Sequence, residues 1–263
     1  MRLIVVGPGR AGGSLALAAD QAGHEIVGVL SRHDNTLGFP ALEWDTDLPE
    51  ADVVILSVRD EAISEVAARL APFVSNAGVV AHLSGFTPTL ALREIKERGT
   101  AIGGFHPLQT LPDPQTGSRA LADAFVAIGG DPLGVDVLTH LASSLGMKPF
   151  RLDDSARPAY HAAAAAAANF VVTALAVSAD LFESADVDPA VSRPLVEQVV
   201  ANVFEKGAAA SLTGPIARGD IETVIGHLEA AHAVSEYVGR QFRLMAEATT
   251  IRAGREEDLH RWR

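Results

Sequence analysis

The start of the chain has a glycine pattern that follows a short apolar stretch. Leu3 to Val6 has the composition of a buried strand and runs directly into Gly7-Pro8-Gly9-Arg10-Ala11-Gly12, after which an alanine-rich stretch predicts a helix. In this context the glycines permit a tight turn, let the backbone approach a pyrophosphate, and let the helix pack closely on the strand. The N–H groups at the helix start then face an anion. We therefore predict a dinucleotide held by Gly7, Gly9, Arg10, Ala11 and Gly12; a glycine turn that binds nothing is the alternative.

The end of the second predicted strand, Glu25 to Leu30, indicates which dinucleotide is bound. An NAD-binding domain has an acidic residue about 20 residues after the glycines, where it holds the ribose 2′-hydroxyl. This chain has Ser31 and Arg32 there, whose side chains can donate hydrogen bonds to a 2′-phosphate. NADP(H) is therefore the expected cofactor. Asp34 leaves NAD(H) open, because a slightly later strand end would bring this acid to the ribose.

Composition excludes several classes of protein. A net charge of −12 argues against nucleic acid and against an anionic membrane surface as partners. The chain has no cysteine, which excludes disulfides, thiolate metal sites and a cysteine nucleophile. His227 and His232 are spaced poorly for a shared metal, so no metal is expected. The glycine turn interrupts the first apolar run, which is unlike a signal peptide, so we expect a cytoplasmic protein.

Strand-like and helix-like stretches alternate up to about residue 153, whereas only helical patterns follow. This order predicts an α/β fold with a doubly wound, mainly parallel Rossmann-like sheet in residues 1–153 and an all-α domain in residues 154–263. Within the first part we expect a helix over Pro88 to Arg98 with Thr87 as its N-cap, and a loop over Pro107 to Gly117. Within the second we expect one helix from Pro189 to Ser211.

The stretch from Ala159 to Ala179 contains no charged side chain and is about long enough to cross a bilayer. Alanine dominates it, His161 and Asn169 interrupt it, and acidic Asp180 follows it in place of a basic anchor. We therefore expect a buried helix rather than a membrane span.

Several strings resemble the motifs of a known bacterial family. Beside the glycine turn these are Asp52-Val53-Val54-Ile55-Leu56-Ser57-Val58-Arg59-Asp60, His82-Leu83-Ser84-Gly85, Phe105-His106-Pro107-Leu108-Gln109, Tyr160-His161 with Asn169, and Leu212-Thr213-Gly214-Pro215-Ile216-Ala217-Arg218-Gly219-Asp220. The family joins a Rossmann-like NADP-oxidoreductase domain to a helical C-terminal domain of unknown function. Its relatives are pyrroline-5-carboxylate reductases, β-hydroxyacid dehydrogenases and prephenate dehydrogenases, and some members are described as alternative ketopantoate reductases.

The resemblance implies NADPH-dependent reduction of a small, anionic carbonyl or imine acid, with ketopantoate or a similar 2-oxo acid as the leading substrate. Two alternatives stay open. One is reduction of an imine, as in pyrroline-5-carboxylate reductase, and the other is a non-catalytic NADP-binding module. Because related enzymes pair through their helical domains, the resemblance also implies a homodimer.

Reduction of a ketone needs a proton donor beside the developing alkoxide. His106 is the first candidate, because it follows a strand at the expected ligand-binding edge of the sheet and an unperturbed imidazole titrates near neutrality. Gly104-Phe105-His106-Pro107 also resembles the Gly-x-His-Pro pattern that holds the catalytic histidine of prephenate dehydrogenases. A histidine that merely caps a turn before Pro107 is the alternative.

Ser84, Val58 and Arg59 end two other predicted strands at the same edge. In the related dehydrogenases a serine at the position of Ser84 bonds substrate or nicotinamide, and residues at the positions of Val58 and Arg59 contact the ribose and nicotinamide. An ordinary turn at Ser84 and a solvated charge at Arg59 are the alternatives.

His161 and Asn169 are spaced to share one helix face with Ala165. They are either satisfied core groups or catalytic residues, with Asn169 orienting the substrate oxygen. A β-hydroxyacid dehydrogenase has a lysine where this chain has Ala165, and its absence favours a histidine acid, either His106 or His161.

A glycine-containing loop between predicted helices holds Thr213, Gly214 and Arg218, which we take as candidate substrate-binding residues. Arg218 can bind a carboxylate bidentately, but Asp220 can instead neutralise it in a structural ion pair.

Overall fold

The amino-terminal part of the chain forms a twisted sheet. A computed structural model of the protein describes residues 1–32 and 37–262, so that Asp34, the residue that left NAD(H) open, lies outside the described residues. The strands of this described part are β1 (Arg2–Val6), β2 (Glu25–Leu30), β3 (Ala51–Leu56), β4 (Ala77–His82), β5 (Ala101–Pro107), β6 (Phe125–Gly130) and β7 (Lys148–Arg151).

The strand order is β2-β1-β3-β4-β5-β6-β7. Every pair of neighbours is parallel except β5 and β6, in which Phe105 lies opposite Ile128. The chain returns past β1 after β2, which creates the change of direction where open α/β sheets bind ligands at the carboxyl ends of their strands. The expected doubly wound, mainly parallel sheet is confirmed.

Helices cover both faces of this sheet because its inner strands are apolar at successive positions. One face packs Leu3, Val5 and Ile55 against Leu15 and Leu138, whereas the residues next to them in the strands form a second core. The helices of this part are α1 (Arg10–Gln21), α2 (Ile63–Leu70), α3 (Arg93–Lys96), α4 (Pro114–Ala120), α5 (Pro132–Ser144) and α6 (Arg157–Ala165).

Helix α4 lies partly in the stretch that we expected to be a loop, so that expectation is wrong. Asp113 caps this helix by accepting a hydrogen bond from the N–H of Thr116 at 2.8 Å, and Pro114 occupies its first turn. A Cβ on Gly117 would collide with Ser14 Oγ in α1. Gly117, which is typical of a loop in the sequence, therefore allows α1 and α4 to pack closely.

The helix expected over Pro88 to Arg98 is shorter and begins differently. A 3₁₀ turn spans Thr89–Leu92 before α3, and Pro88 rather than Thr87 is its N-cap, with extended ψ of 150°. Asp154 accepts hydrogen bonds from both the N–H and the hydroxyl of Thr89, each at 2.8 Å. A residue far away in the chain satisfies this helix end, which local sequence could not indicate.

The chain divides into two compact units, an amino-terminal unit, Met1–Ala165, and a carboxy-terminal unit, Ala166–Arg263. The domain boundary expected after residue 153 stays a prediction. The described part of the carboxy-terminal unit is helical, with a π-helix at Ala166–Phe170, then α7 (Val171–Ser184), α8 (Arg193–Lys206), α9 (Ala208–Ser211), α10 (Pro215–Arg218), α11 (Ile221–Val234) and α12 (Glu236–Arg252).

One of the helices expected in this unit is interrupted. A 3₁₀ turn at Pro189–Ser192 precedes α8, and Gly207, with a φ of +82°, separates α8 from α9. The expected continuous helix from Pro189 to Ser211 is therefore wrong, because the chain uses this glycine to leave the helical conformation.

The apolar helix over Ala159 to Ala179 is exposed, which contradicts the expected burial. Among the described residues, the stretch Asp154–Ser184 alone is long and apolar enough to cross a membrane by length and composition, a test that core helices of soluble proteins also pass. Only 6% of its most apolar window is buried. The apolar composition makes exposure of this surface to water unfavourable. It does not indicate what covers the surface.

Arg157, the first residue of α6, fixes the start of this helix to the sheet. Its side chain is fully buried and donates hydrogen bonds to Asp154 Oδ1 at 2.7 Å and to the carbonyl of Ser84 at 3.1 Å. A Cβ on Gly104 of β5 would collide with its Nη2. The guanidinium therefore joins α6 to the ends of β4 and β5.

We predict that Asp154→Ala lowers the free energy of unfolding by roughly 3 kcal/mol, the lower end for breaking a buried ion pair, because it leaves the cation of Arg157 without its carboxylate. Asp154→Ala with Arg157→Met should lose less than Asp154→Ala alone, since the second change removes the stranded charge. Urea unfolding of both variants measures the difference. An equal or larger loss in the double variant would contradict this account.

Candidate functional site

The glycine turn after β1 is shaped by close contacts that exclude side chains. Gly7 has a φ of +83°, and a Cβ on it would lie 2.6 Å from the carbonyl oxygen of Ser57. A Cβ on Gly12 would lie 2.6 Å from the carbonyl oxygen of Gly7. A Cβ on Gly9, by contrast, would meet nothing within 4 Å. The turn is thus packed on its protein side and open above Gly9.

The start of α1 at this turn suits an anion. Gly9 is the N-cap, and within the described residues its helix has neither a side-chain capping bond nor an acidic residue in its first turn. Gly9 and Arg10 are exposed and Ala11 is half-buried. N–H groups at such a helix start lack carbonyl partners in the helix and carry partial positive charge. These residues fit a dinucleotide pyrophosphate.

The other expected cofactor residues lie at the ends of β2 and β3. Ser31 and Arg32 directly follow β2, with Ser31 half-buried and Arg32 exposed. Val58 is half-buried two positions after β3. The side chain of Arg59 is 78% exposed and pairs with Glu61 at 3.2 Å. Their contacts to a cofactor stay predictions.

Ser84 lies after β4 and uses its whole hydrogen-bonding capacity locally. Its hydroxyl donates to Asp60 Oδ2 at 2.7 Å and accepts from the N–H groups of Phe86 at 3.1 Å and Thr87 at 2.8 Å. One O–H and two lone pairs are all that a serine offers. Ser84 therefore joins the segment after β4 to that after β3, and its expected contact to substrate or nicotinamide stays a prediction.

His106, near the end of β5, lies beside the two consecutive aromatic residues of α6. Its Nδ1 is 2.8 Å from the hydroxyl oxygen of Tyr160. The ring centroids of His106 and His161 are 5.8 Å apart. A Cβ on Gly85 would lie 2.8 Å from His106 Nε2 and 2.7 Å from His161 Nδ1. The two candidate acids thus face the same glycine, and any side chain there would collide with both.

The pKa of His106 differs from the sequence-based expectation. Burial, together with the nearby His161 and Arg157, lowers the pKa of His106 to about 4, and Asp60 opposes the shift. Burial raises the pKa of Tyr160 to about 12. At neutral pH His106 is therefore a neutral imidazole and Tyr160 a neutral phenol, whereas an unperturbed imidazole would titrate near neutrality.

His82, at the end of β4, is a further buried histidine of the same unit. It is 0% exposed, and its Nδ1 accepts a hydrogen bond from the N–H of Ser84 at 3.2 Å. Burial and the charge of Arg157 lower its pKa to about 4. It supports the Ser84 segment as a neutral group.

The remaining candidates lie in the carboxy-terminal unit. Asn169 is exposed within the π-helix, whose wider turns depart from the regular helical spacing that aligned it with His161. Thr213 and Arg218 are exposed, and Gly214 has a φ of +89°. Asp220, the suggested partner of Arg218, caps α11 through the N–H of Thr223 at 3.2 Å. The roles of these residues stay predictions.

Four residues near His106, Ser84 and His161 were not among the predicted site residues: Asp60, Gly85, Arg157 and Tyr160. Tyr160 and Gly85 are adjacent in the sequence to His161 and Ser84. This adjacency indicates that they lie near the site, but it does not indicate what they do there. Asp60 and Arg157 act through contacts between distant segments. No local pattern marks such contacts.

We predict that acid destabilises the protein partly through His82. The unfolded chain binds a proton to this imidazole near pH 6.5 and the folded chain near pH 4, so stability falls as the pH drops through this interval, by up to about 3 kcal/mol. The difference in Tm between pH 7 and pH 5 should be smaller in His82→Gln than in the wild type. His260→Gln, which changes an exposed histidine, is the control; equal differences in all three proteins would contradict the prediction.

Several solved structures with the same fold are distant in sequence. A provisionally named NADP oxidoreductase of Bacteroides fragilis is 24% identical, with a TM-score of 0.78 over 95% of this chain and 98% of that one. Plasmodium falciparum pyrroline carboxylate reductase with NADP bound is 12% identical, with a TM-score of 0.65 over 95% and 98%. An imine reductase of Myxococcus stipitatus in complex with NADP⁺ is 16% identical, with a TM-score of 0.68 over 99% and 95%.

At these identities the likeness shows a common fold. No curated protein sequence matches the chain. Residues 124–249 match the model of a family described as a domain of unknown function, DUF2520, which begins just before β6. The chain thus has a Rossmann-like fold, and its residues 124–249 match the DUF2520 family model, as the resemblance stated from its motifs implies.

Proposed function

We propose that the chain is an NADPH-dependent reductase of a small 2-oxo acid, with ketopantoate as the leading substrate. The cofactor assignment is supported by the open, uncapped start of α1 and by Ser31 and Arg32 after β2. It is supported further by the similar structures that carry NADP in their names. The same fold hosts many activities, so the reaction class depends on the residues of the site.

The observation that carries the proposal is the position of His106. It lies near the carboxyl end of β5, in the same unit as the glycine turn after β1, and its Nε2 and His161 Nδ1 face Gly85. Ligands of open α/β sheets bind at this edge. An imidazole at this place can donate a hydrogen bond to a substrate oxygen that gains negative charge.

Each residue then has a definite task. Bound NADPH would supply the hydride for the carbonyl carbon. His106 donates the proton to the oxygen, and His161 is the alternative donor. Ser84 fixes the segment that follows β4, which lies beside His106 and His161, through its hydrogen bonds to Asp60 and to the N–H groups of Phe86 and Thr87. Asn169 orients the substrate oxygen, and Thr213, Gly214 and Arg218 bind the rest of the anionic substrate, with Arg218 on its carboxylate.

One observation favours a second candidate, reduction of a cyclic imine. Within the described amino-terminal unit, the groups around Gly85 are two imidazoles, His106 being neutral, and the carboxylate of Asp60, while the guanidinium of Arg157 is buried against Asp154. A neutral His106 is a weak acid, which suits an imine that is already protonated when it binds. The nearby carboxylate of Asp60 favours such a cation, whereas burial and Arg157 oppose it. An iminium also needs less from a protein acid.

The deciding assay follows NADPH oxidation, with NADH in parallel, against ketopantoate and pyrroline-5-carboxylate. We expect turnover of ketopantoate and a decrease of roughly 10²-fold to 10⁴-fold in kcat for His106→Ala, because a positioned acid contributes about this much. His260→Ala is the matched control. Wild-type turnover in His106→Ala would transfer the role to His161.

Two other outcomes decide between the alternatives. Turnover of pyrroline-5-carboxylate alone would replace the 2-oxo acid by an imine. If calorimetry detects NADPH binding but no oxo acid or imine is turned over, the chain is a non-catalytic NADP-binding module. If neither coenzyme produces heat on addition, the cofactor proposal is refuted.

We further propose that the protein is a cytoplasmic homodimer, with the apolar faces of α7 and α8 covered by a second copy. These helices expose large apolar side chains, among them Val172 at 67%, Leu195 at 65% and Phe204 at 88%. Large apolar side chains exposed along helices in this way are typical of an interaction site. A symmetric dimer covers the same surface on both copies.

Sedimentation at micromolar concentration should therefore give a dimer. Val172→Glu with Phe204→Glu should give a folded monomer, since both side chains are mostly exposed in the single chain. Leu90→Glu, an exposed leucine of the amino-terminal unit, should stay dimeric. A monomeric wild type would refute the dimer, and wild-type binding to anionic vesicles would instead indicate a membrane partner.

A further inference from the structure

The function proposed above leaves the hydroxyl of Tyr160 without a task. This hydroxyl lies 2.8 Å from His106 Nδ1, on the opposite side of the imidazole from the Nε2 that faces Gly85. The ring of Tyr160 packs edge-on against His106 at 5.5 Å and against Phe150 at 5.9 Å between centroids. The tyrosine is therefore held in place by packing, and its polar atom is directed at the histidine.

The chemistry of the two groups sets the direction of this hydrogen bond. A neutral imidazole has one N–H and one bare nitrogen, and the bare nitrogen is a stronger acceptor than a phenol oxygen. Tyr160 therefore donates to Nδ1, which leaves the proton of His106 on Nε2. The tautomer that faces Gly85 is then the one able to donate.

The geometry points to Tyr160 as the proton source of the site, acting on the substrate through His106. This inference rests on the proposed function, because it assigns the acid of that reaction. It makes Tyr160 and His106 a relay in which the histidine conducts a proton and the tyrosine supplies it. His106 is the residue that touches the substrate, and Tyr160 acts through it.

The protons balance across one turnover. Once the carbonyl carbon is reduced by the hydride that bound NADPH would supply, the alkoxide oxygen takes the proton from Nε2, and Nδ1 takes the proton from Tyr160. The products are the alcohol, the Nδ1–H tautomer of His106 and the phenolate of Tyr160. After the alcohol leaves, a solvent proton adds to Nε2 and the Nδ1 proton returns to Tyr160.

The charges around His106 explain why a relay is needed. His161 and Arg157 disfavour an imidazolium, burial disfavours it more strongly, and the favourable charge of Asp60 does not compensate, so that the pKa stays at about 4. An imidazolium donor is therefore almost absent at neutral pH. The phenol of Tyr160, with a pKa of about 12, remains protonated there and is still a stronger acid than an alcohol.

Nuclear magnetic resonance of protein labelled with ¹⁵N at histidine tests the hydrogen bond without substrate or cofactor. Assigned through a His106→Asn variant, the wild type should show His106 as the Nε2–H tautomer at pH 7, with its Nδ1 resonance displaced toward that of a hydrogen-bond acceptor. In Tyr160→Phe this resonance should move to the position of a free imine nitrogen. Tyr237→Phe, which alters the only other tyrosine of the chain, should leave it unchanged.

Kinetics then test the relay. Tyr160→Phe should lower kcat by roughly 10²-fold, the low end for loss of a positioned acid, with KM little changed. The wild-type kcat should be flat from pH 6 to about 9, and its proton inventory in H₂O and D₂O mixtures should be curved, whereas that of Tyr160→Phe should be linear. A rate that falls as the pH rises through neutrality would assign the proton to an imidazolium and overturn the relay.

The two kinds of failure can be told apart. An Nδ1–H tautomer in the wild type, or wild-type kcat in Tyr160→Phe, overturns the relay whatever the substrate is. A free protein with the expected tautomer that reduces no oxo acid or imine would refute the proposed function, and with it the relay as a step of that reaction.

Discussion

The buried guanidinium of Arg157 is the interaction on which the arrangement of the candidate site depends. It holds the first turn of α6 against the carbonyl of Ser84 and against β5, while Asp154 supplies its counter-charge and also satisfies the N–H of Thr89. Tyr160 and His161 follow within one turn of this anchor. Their positions beside His106 therefore depend on this ion pair, whose guanidinium is fully buried and whose carboxylate is partly exposed.

The same burial determines the chemistry of the histidines. Around the ends of β4 and β5, packing and the positive charge of Arg157 oppose protonation of His82 and His106. Two neutral imidazoles of this kind can interact with a charged group by hydrogen bonding but not as cations. Ser84 bonds to Asp60 and Tyr160 bonds to His106 at this edge of the sheet.

The sequence predicted the fold class because the apolar strands and the glycine turn have a local period and a fixed spacing. It failed where distant segments decide the structure. Asp154 shifts the start of the helix near Thr89, and Gly117 permits a helix where composition indicates a loop. The stretch from Ala159 to Ala179 is exposed although its composition predicts burial.

Prediction of the site followed the same rule. His106, Ser84 and His161 could be named from strand ends and from the resemblance, and the structure places all three around Gly85 and its neighbours. The state of His106 could not be predicted, because its pKa depends on burial and on Arg157. Tyr160 was visible only as a neighbour of His161, since a hydrogen bond between α6 and β5 leaves no trace in local spacing.

The reversal of direction between β5 and β6 has a consequence for how such chains can evolve. The DUF2520 match begins just before β6, yet β6 and β7 complete the sheet of the amino-terminal unit. If a recombination exchanged only the matched region, it would expose the N–H and C=O groups of β5 as a bare edge unless the incoming segment restored the antiparallel pairing. The regions before and after the start of the match therefore depend on each other through the backbone hydrogen bonds between β5 and β6.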